Sequence, residues 1–416
     1  MRKQLNIFLT SFILFSITLP SCSKSDSDDS NPVVENGSIS ITADKSSIIA
    51  DGKDEIIFTV KDNNSKDITS ESKIYVDGET LANNTYSSKE KGEYTIKAVN
   101  LNREATIKIQ VRHYIARLYL SSNRTSVFSS GSEHFEFKVL DTKLNNVTSS
   151  AKFYVDDQLI NGHTFSSSTN GKYKVRAEYS EIKSADLLIG VNMSPRNVLV
   201  EDYTATWCGY CPESMYHLEE LKSKISANMV ISAIHGSDEF SFSKLESLAS
   251  KYNVDGYPTK VVNRKPSLSL TDNILKTMVV ESCSLGLSTT IQVDGNNAKI
   301  DVQVESYQTS KDIKLVVALC DNNQLASQSN YSNNDANSAF YQAGEKMKNF
   351  QHNYILRKTL TDLYGDVIPN EKLTQGSSYS PSFTTDVSKY NKAHLSAIAF
   401  LIKDGEVINA ISVDNL

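Results

Sequence analysis

The chain has 416 residues, 39% of them hydrophobic and 22% charged, and a net charge of −6. This length holds three or four domains of roughly 100–150 residues, and the composition is that of globular material rather than of a disordered or polytopic membrane chain. A mildly acidic chain with no basic cluster argues against nucleic acid as a partner.

Arg2 and Lys3 precede a mostly apolar run over residues 7–19. The run is shorter than the ~20 residues of a membrane span and has the pattern of an export signal. It ends in Leu19-Pro20-Ser21-Cys22, which resembles a bacterial lipobox. That resemblance implies a lipoprotein signal peptide over residues 1–21 and lipidation of Cys22. The lipid would be the anchor to the membrane, because no second apolar stretch of ~18 residues follows. An ordinary secretory signal with an incidental Cys22 is the competing reading. Residues 22–36 read as an acidic, flexible tether; fully extended, residues 23–36 reach up to ~46 Å at ~3.3 Å per residue. Acidic residues directly after the lipidated position resemble signals that send some bacterial lipoproteins to the cell surface, although a solvated linker explains them equally well. The expected location is the bacterial outer membrane, periplasmic or surface-exposed.

Residues 39–112 and 118–191 repeat at a constant offset of 79, as Gly52 and Gly131, Phe58 and Phe137, and Tyr75-Val76-Asp77 and Tyr154-Val155-Asp156 show. No gap is needed, so the repeat is a duplication. Each copy alternates apolar and polar residues between polar turns, which predicts two small antiparallel β-sandwiches, over residues 37–112 and 113–192. They resemble bacterial immunoglobulin-like domains. Neither contains cysteine, so their cores must rest on apolar packing. His113, His134 and His163 are unmatched between the copies and read as surface residues; the pair reads as a spacer stalk, with carbohydrate or protein binding as the alternative, to which no aromatic cluster or metal-ligand spacing points.

Residues 193–284 follow the β-α-β order of a thioredoxin-like α/β domain. A buried strand over 198–203 leads to a helix opening at Cys208-Gly209-Tyr210-Cys211-Pro212. Residues 229–234 form a second, almost wholly apolar strand, as a parallel central strand should be. A helix over 241–252, a strand over 260–263 and a helix over 270–282 complete the domain. Cys208 is expected at the helix N-cap, where unpaired N–H groups and the dipole favour a thiolate nucleophile. Cys211, one turn deeper, would resolve the mixed disulfide. Pro212 suits the first turn because its missing N–H has no partner there. Of Glu201 and Asp202, one is expected to face solvent, and Asp202 is preferred as the buried acid. Zinc requires a second ligand pair, and only His217 lies near, so no metal or cofactor is implied. A permanently oxidised structural pair remains a competing reading. His235, ending its strand, reads as structural.

Trp207-Cys208-x-x-Cys211 with a later Tyr257-Pro258 before a strand resembles the thioredoxin-like proteins. The resemblance implies a cis proline at Pro258 beside the disulfide, a catalytic setting completed by Trp207, and a buried acid at Asp202 that assists proton transfer to Cys211. It also implies a groove for an extended substrate chain, bordered by Tyr210, Tyr257 and Thr259. From Val198 onward the chain carries Val200-Glu201-Asp202-Tyr203-Thr204, Ala233-Ile234-His235-Gly236, Tyr257-Pro258-Thr259 with Asn263-Arg264, and His352-Asn353-Tyr354-Ile355-Leu356-Arg357. In these pieces it resembles the outer membrane protein 28-related family of thioredoxin-fold bacterial lipoproteins. Ala205 departs from the glycine expected there.

From Leu285 the period returns to two, and five strands predict a C-terminal β-sandwich over residues 285–416. Its insertion, residues 327–369, is polar and then shows helical spacing at Tyr354, Leu356, Leu360 and Leu363. An insertion this long is more than a connection: it caps the redox groove, binds a partner, or packs on the sandwich. Cys283 and Cys320 remain, as a disulfide between the last two domains or as two buried thiols. The sequence thus predicts an envelope lipoprotein exchanging disulfides with envelope or extracellular polypeptides. The alternative is a surface-displayed binding protein that uses the thioredoxin fold as a scaffold.

Overall fold

The computed structural model describes residues 38–415, apart from residues 46, 113–115, 267, 336 and 342. The expected signal peptide, Cys22, the tether and His113 lie outside the described residues.

The duplication is visible as two sandwiches of the same plan. In the first, strands Ile39–Ala43, Ile56–Asp62 and Thr85–Tyr86 face a five-stranded sheet centred on Gly92–Asn100. In the second, the equivalent strands face a six-stranded sheet centred on Gly171–Tyr179. The alternation places Ile56, Phe58, Ile74 and Ile96 in the first core and Phe135, Phe137, Phe153 and Val175 in the second. The second core is therefore the more aromatic, with the Phe135–Phe137 and Phe137–Phe153 rings stacked at 6.4 and 5.9 Å. His134 is exposed and His163 half-exposed.

The second sandwich is bonded to the body that follows. The buried Asn228 side chain accepts from the Leu188 N–H at 2.6 Å and donates to the Leu188 carbonyl at 2.9 Å and to Asn197 at 2.7 Å. Arg117 pairs with Glu219 at 3.1 Å. This module is a fixed part of the body rather than a free spacer.

The body is built from β1 (Val198–Thr204), α1 (Cys211–Glu220), β2 (Met229–His235), α2 (Leu245–Tyr252), β3 (Thr259–Val262) and α3 (Asp272–Val280). It continues with β4 (Leu285–Asp294), β5 (Asn297–Ser306), β6 (Lys314–Asp321), β7 (Gln324–Ser329), β8 (Lys346–His352) and β9 (Ile355–Thr359). The last elements are β10 (Ser382–Asp386), β11 (Leu395–Lys403) and β12 (Glu406–Asp414). One eight-stranded sheet runs β3-β1-β2-β9-β6-β11-β12, with Asp366–Val367 attached to β6. β1, β2 and β9 are parallel, and β3 is antiparallel to β1.

The redox and C-terminal parts thus share a sheet, and the boundary expected at residue 284/285 does not interrupt it. Three of the five expected sandwich strands, β6, β11 and β12, extend the redox sheet. The other two, β4 and β5, form with β10 and Ser378–Tyr379 the second layer of the sandwich. α2 covers the opposite face, where Leu248 and Tyr252 pack on Tyr203, Ile234, Ala318 and Phe400. α1, the turn that continues it and α3 lie over the redox end of the sandwich-side face, through Leu218, Leu221, Leu275 and Val279.

The splice between the two halves is β9, which replaces the helix expected in the insertion. It opens on a short buried run, Ile355-Leu356, and so short a run has no decisive period. Leu356 and Leu363 pack on the α2 side, while Leu360 packs on the sandwich side. The same architecture excludes the Cys283–Cys320 bridge. Cys283 lies in the sandwich core and Cys320 in the core on the other side of the sheet, and both are free and buried. Burial pushes the Cys320 thiol up to about 12.

Candidate functional site

Cys208 and Cys211 form a disulfide. α1 begins at Cys211, not at Cys208, and its N-cap is Tyr210. The reason lies in Pro212. An α-helix starting at Cys208 would take the residue-212 N–H onto the Cys208 carbonyl, and proline has none. That carbonyl instead accepts from the Cys211 N–H at 3.2 Å and from the Gln328 side chain at 2.8 Å. Cys208 consequently sits one turn outside the helix, and both half-cystines are nearly closed to solvent, at 5% and 2% exposure.

Tyr257 packs against the Cys208, Cys211 and Ala205 cluster, and the Tyr257-Pro258 bond is cis. Trp207 stands beside Tyr257, ring centroids 5.6 Å apart, with its indole N–H on the Gly236 carbonyl at 3.2 Å. Tyr210 projects into solvent and meets Tyr331 edge-on at 5.1 Å. The Thr259 hydroxyl turns to the Gly256 carbonyl at 2.7 Å, closing the loop before β3.

Both acids before the cysteines are buried, so neither Glu201 nor Asp202 faces solvent. The sheet is covered on both sides, and alternation sends the two residues to opposite covers. Glu201 turns to the α2 side and pairs with Arg264 at 3.1 Å, whose guanidinium also lies 4.8 Å over Phe400. Asp202 turns to the α1 side, where it accepts from the Ser214 hydroxyl at 3.3 Å; Lys260 donates to that hydroxyl at 2.6 Å. Burial raises the Asp202 carboxyl to about 6, against the Lys260 charge and the Ser214 bond. Asp202 is therefore held protonated to higher pH than an exposed carboxyl.

His235 bonds Asp238 at 2.8 Å, and Asp238 accepts the Thr206 N–H at 2.8 Å. This pair fixes the loop ahead of Cys208, so His235 is an architectural residue. Its ring meets His352 of β8 at 5.5 Å, and burial drives the His352 imidazole down to about 3. No group of His, Cys, Asp and Glu among the described residues could hold a metal ion.

Sequence reasoning missed Ser214, Lys260, Gln328, Ser329 and Tyr331 at this site. Ser214 was within reach, three residues after Cys211 and hence on the same helix face. The insertion residues carry no motif.

The fold and the disulfide at the mouth of α1 define a thioredoxin-like domain, and residues 183–272 match the thioredoxin family model. Residues 246–415 match the model of outer membrane protein Omp28. The resemblance to that family read from the sequence therefore holds from α2 to the end of β12. No curated protein matches the chain. Among solved structures, HBP35 of Porphyromonas gingivalis is similar at 17% identity, covering 53% of this chain and 75% of that one with a TM-score of 0.42. The D0-D1 domain of intimin is similar at 17% identity over 36% of this chain and 97% of that one, with a TM-score of 0.15. The N-terminal domains of the bacteriophage RB49 outer capsid protein Hoc are similar at 9% identity over 90% and 96%, with a TM-score of 0.25. No described helix is long and apolar enough to cross a membrane.

Proposed function

We propose that this is an envelope-anchored lipoprotein, held at the outer membrane by a lipid on Cys22, that exchanges disulfides with polypeptide thiols through Cys208 and Cys211. The observation that carries the reading is the oxidised CxxC pair at the start of α1, packed against Tyr257, with the buried acid Asp202 behind α1. The outer membrane in the matching family's name supports the location. In the oxidised state a partner thiolate attacks the Cys208 Sγ. The Cys208–Cys211 bond breaks, and Cys211 leaves as a thiolate that takes up a proton, with Asp202 as the nearby buried donor. A second partner thiolate then attacks the partner sulfur of the mixed disulfide and releases Cys208. The partner loses two electrons and the pair gains them; the reverse sequence reduces a partner disulfide.

The test is Cys211→Ser, in which the Cys208 thiolate attacks a partner disulfide and displaces one partner thiolate, and the mixed disulfide lacks the Cys211 thiol that would resolve it. Mixed disulfides with envelope polypeptides should accumulate in cells carrying it. No trapped adduct, together with no reduction of insulin in vitro, would sink the reading. A second reading, a surface binding protein with a structural disulfide, is favoured by the near-complete burial of Cys208. A reduction potential below about −300 mV would decide for it.

A further inference from the structure

The hairpin arm β7–β8 reaches the loop that carries Cys208, and the main chain of Ser329 and Tyr331, at and just past the end of β7, bonds to that loop. The Ser329 N–H donates to the Thr206 carbonyl at 2.9 Å, and the Tyr331 N–H donates to the Gly209 carbonyl at 2.9 Å. Beside these bonds the Gln328 side chain donates to the Ala205 and Cys208 carbonyls at 3.3 and 2.8 Å.

Gly209 carries the mark of this contact. It is not in the left-handed region, so its backbone does not require glycine. A Cβ there would stand 2.3 Å from the Tyr331 ring, so the glycine is needed for the close approach of that ring. Farther out, Ser338 bonds Glu213, and Phe340 packs edge-on to Tyr216 at 6.1 Å, fastening the arm to α1. The result is an accessible aromatic rim over a closed sulfur: Trp207, Tyr210 and Tyr331 are 51%, 61% and 67% exposed, and Cys208 is 5% exposed.

Resting on the exchange reading above, we propose that residues 328–331 are an internal pseudosubstrate. They take the main-chain acceptors around Cys208 that an incoming extended polypeptide would use, and Tyr331 and Gln328 thereby decide which thiols reach it. A polypeptide that can supply replacement N–H donors and an aromatic or apolar side chain for the Gly209 seat displaces the arm. Small thiols have no such means and wait for the arm to lift.

The test uses the full chain and its single tryptophan, Trp207, whose fluorescence reports reduction of the neighbouring disulfide. The reductant is dithiothreitol: one thiolate attacks Cys208, and the second closes the reductant's ring and releases the dithiol protein. In the wild type the rate should level off at high dithiothreitol, limited by lifting of the arm. Tyr331→Ala and Gly209→Ala should each raise the rate at least tenfold and restore linear dependence on reductant, whereas Tyr331→Phe should keep the wild-type plateau. Tyr331 is exposed, so its replacement leaves the core intact. Rates within twofold of wild type, linear for every variant, would overturn the proposal. The two readings fail separately. Faster reduction without trapped polypeptide adducts in Cys211→Ser retires the exchange reading and keeps the gate, and trapped adducts with unchanged rates do the opposite.

Discussion

Asp202 accepts a 3.3 Å hydrogen bond from Ser214, the residue one helical turn past Cys211. Lys260 holds the same hydroxyl at 2.6 Å, so a carboxyl without solvent contact is linked to a half-buried ammonium at the sheet edge. Burial raises Asp202 from its ordinary value to about 6. The folded state therefore binds this proton more tightly than the unfolded chain, and stability contributed by the neutral acid is lost as pH rises from about 4 to 6. Asp202→Asn should accordingly stabilise the fold at pH 8 by an amount on the order of 3 kcal/mol, because each tenfold change in proton affinity is worth ~1.4 kcal/mol. The gain should vanish near pH 4. Urea titrations at the two pH values measure it. In exchange kinetics the variant should lose an inflection near pH 6, and Lys260→Met should move that inflection upward, since the ammonium favours the carboxylate.

On the other side of the same strand, Glu201 and Arg264 form a buried ion pair, both nearly closed to solvent. Taking away one partner strands the other charge, which typically costs about 3–5 kcal/mol. Arg264→Met should therefore destabilise the protein by roughly that much, and adding Glu201→Met should recover most of the loss. Denaturant midpoints of the two variants distinguish this from a simple packing defect, which the second substitution would worsen.

The elements that were legible in the sequence are those with a clean local period or an exact duplication. The two sandwiches follow from alternation and the constant offset, and the β1-α1-β2 unit follows from two apolar strands around a CxxC. Pairings between distant segments were not legible. β9 carries the spacing of either a helix or a doubly buried strand, and only its placement between β2 and β6 decides. That placement merges two expected domains and puts Cys283 and Cys320 on opposite sides of one sheet. At the site, Cys208 and Cys211 were readable from chemistry and spacing. Gln328 and Tyr331 were not, because their bonds go to main-chain carbonyls, which leave no trace in side-chain identity except the glycine at 209. The shift of the helix start was readable in principle from Pro212, whose missing N–H breaks the ladder at Cys208.

Asn228 makes the joint between the second sandwich and the body a stiff one. Asn228→Ala would leave both the N–H and the carbonyl of Leu188 without their partner. Each buried group so orphaned typically costs about 1–3 kcal/mol. The expected outcome is a loss of cooperativity rather than of either fold. In calorimetry the wild-type second sandwich should melt with the body, whereas in the variant it should separate as an earlier transition. A single shifted peak would show that the remaining contacts, such as Arg117 with Glu219, are sufficient.

Cys283 and Cys320 should be silent in redox chemistry. Burial raises both thiols, Cys320 to about 12, so at pH 8 the nucleophilic thiolate is scarce as well as shielded. In the folded, oxidised protein, iodoacetamide should label neither residue. After reduction, labelling should appear at Cys208 ahead of Cys211, and Cys283 and Cys320 should react only once denaturant is added. Cys320→Ala removes one sulfur from a closed core and should cost about 1 kcal/mol in stability while leaving the rate of Cys208 reduction unchanged. Mass spectrometry of the labelled peptides decides the matter, and rapid modification of Cys320 under native conditions would mean that the sheet opens between β6 and β9.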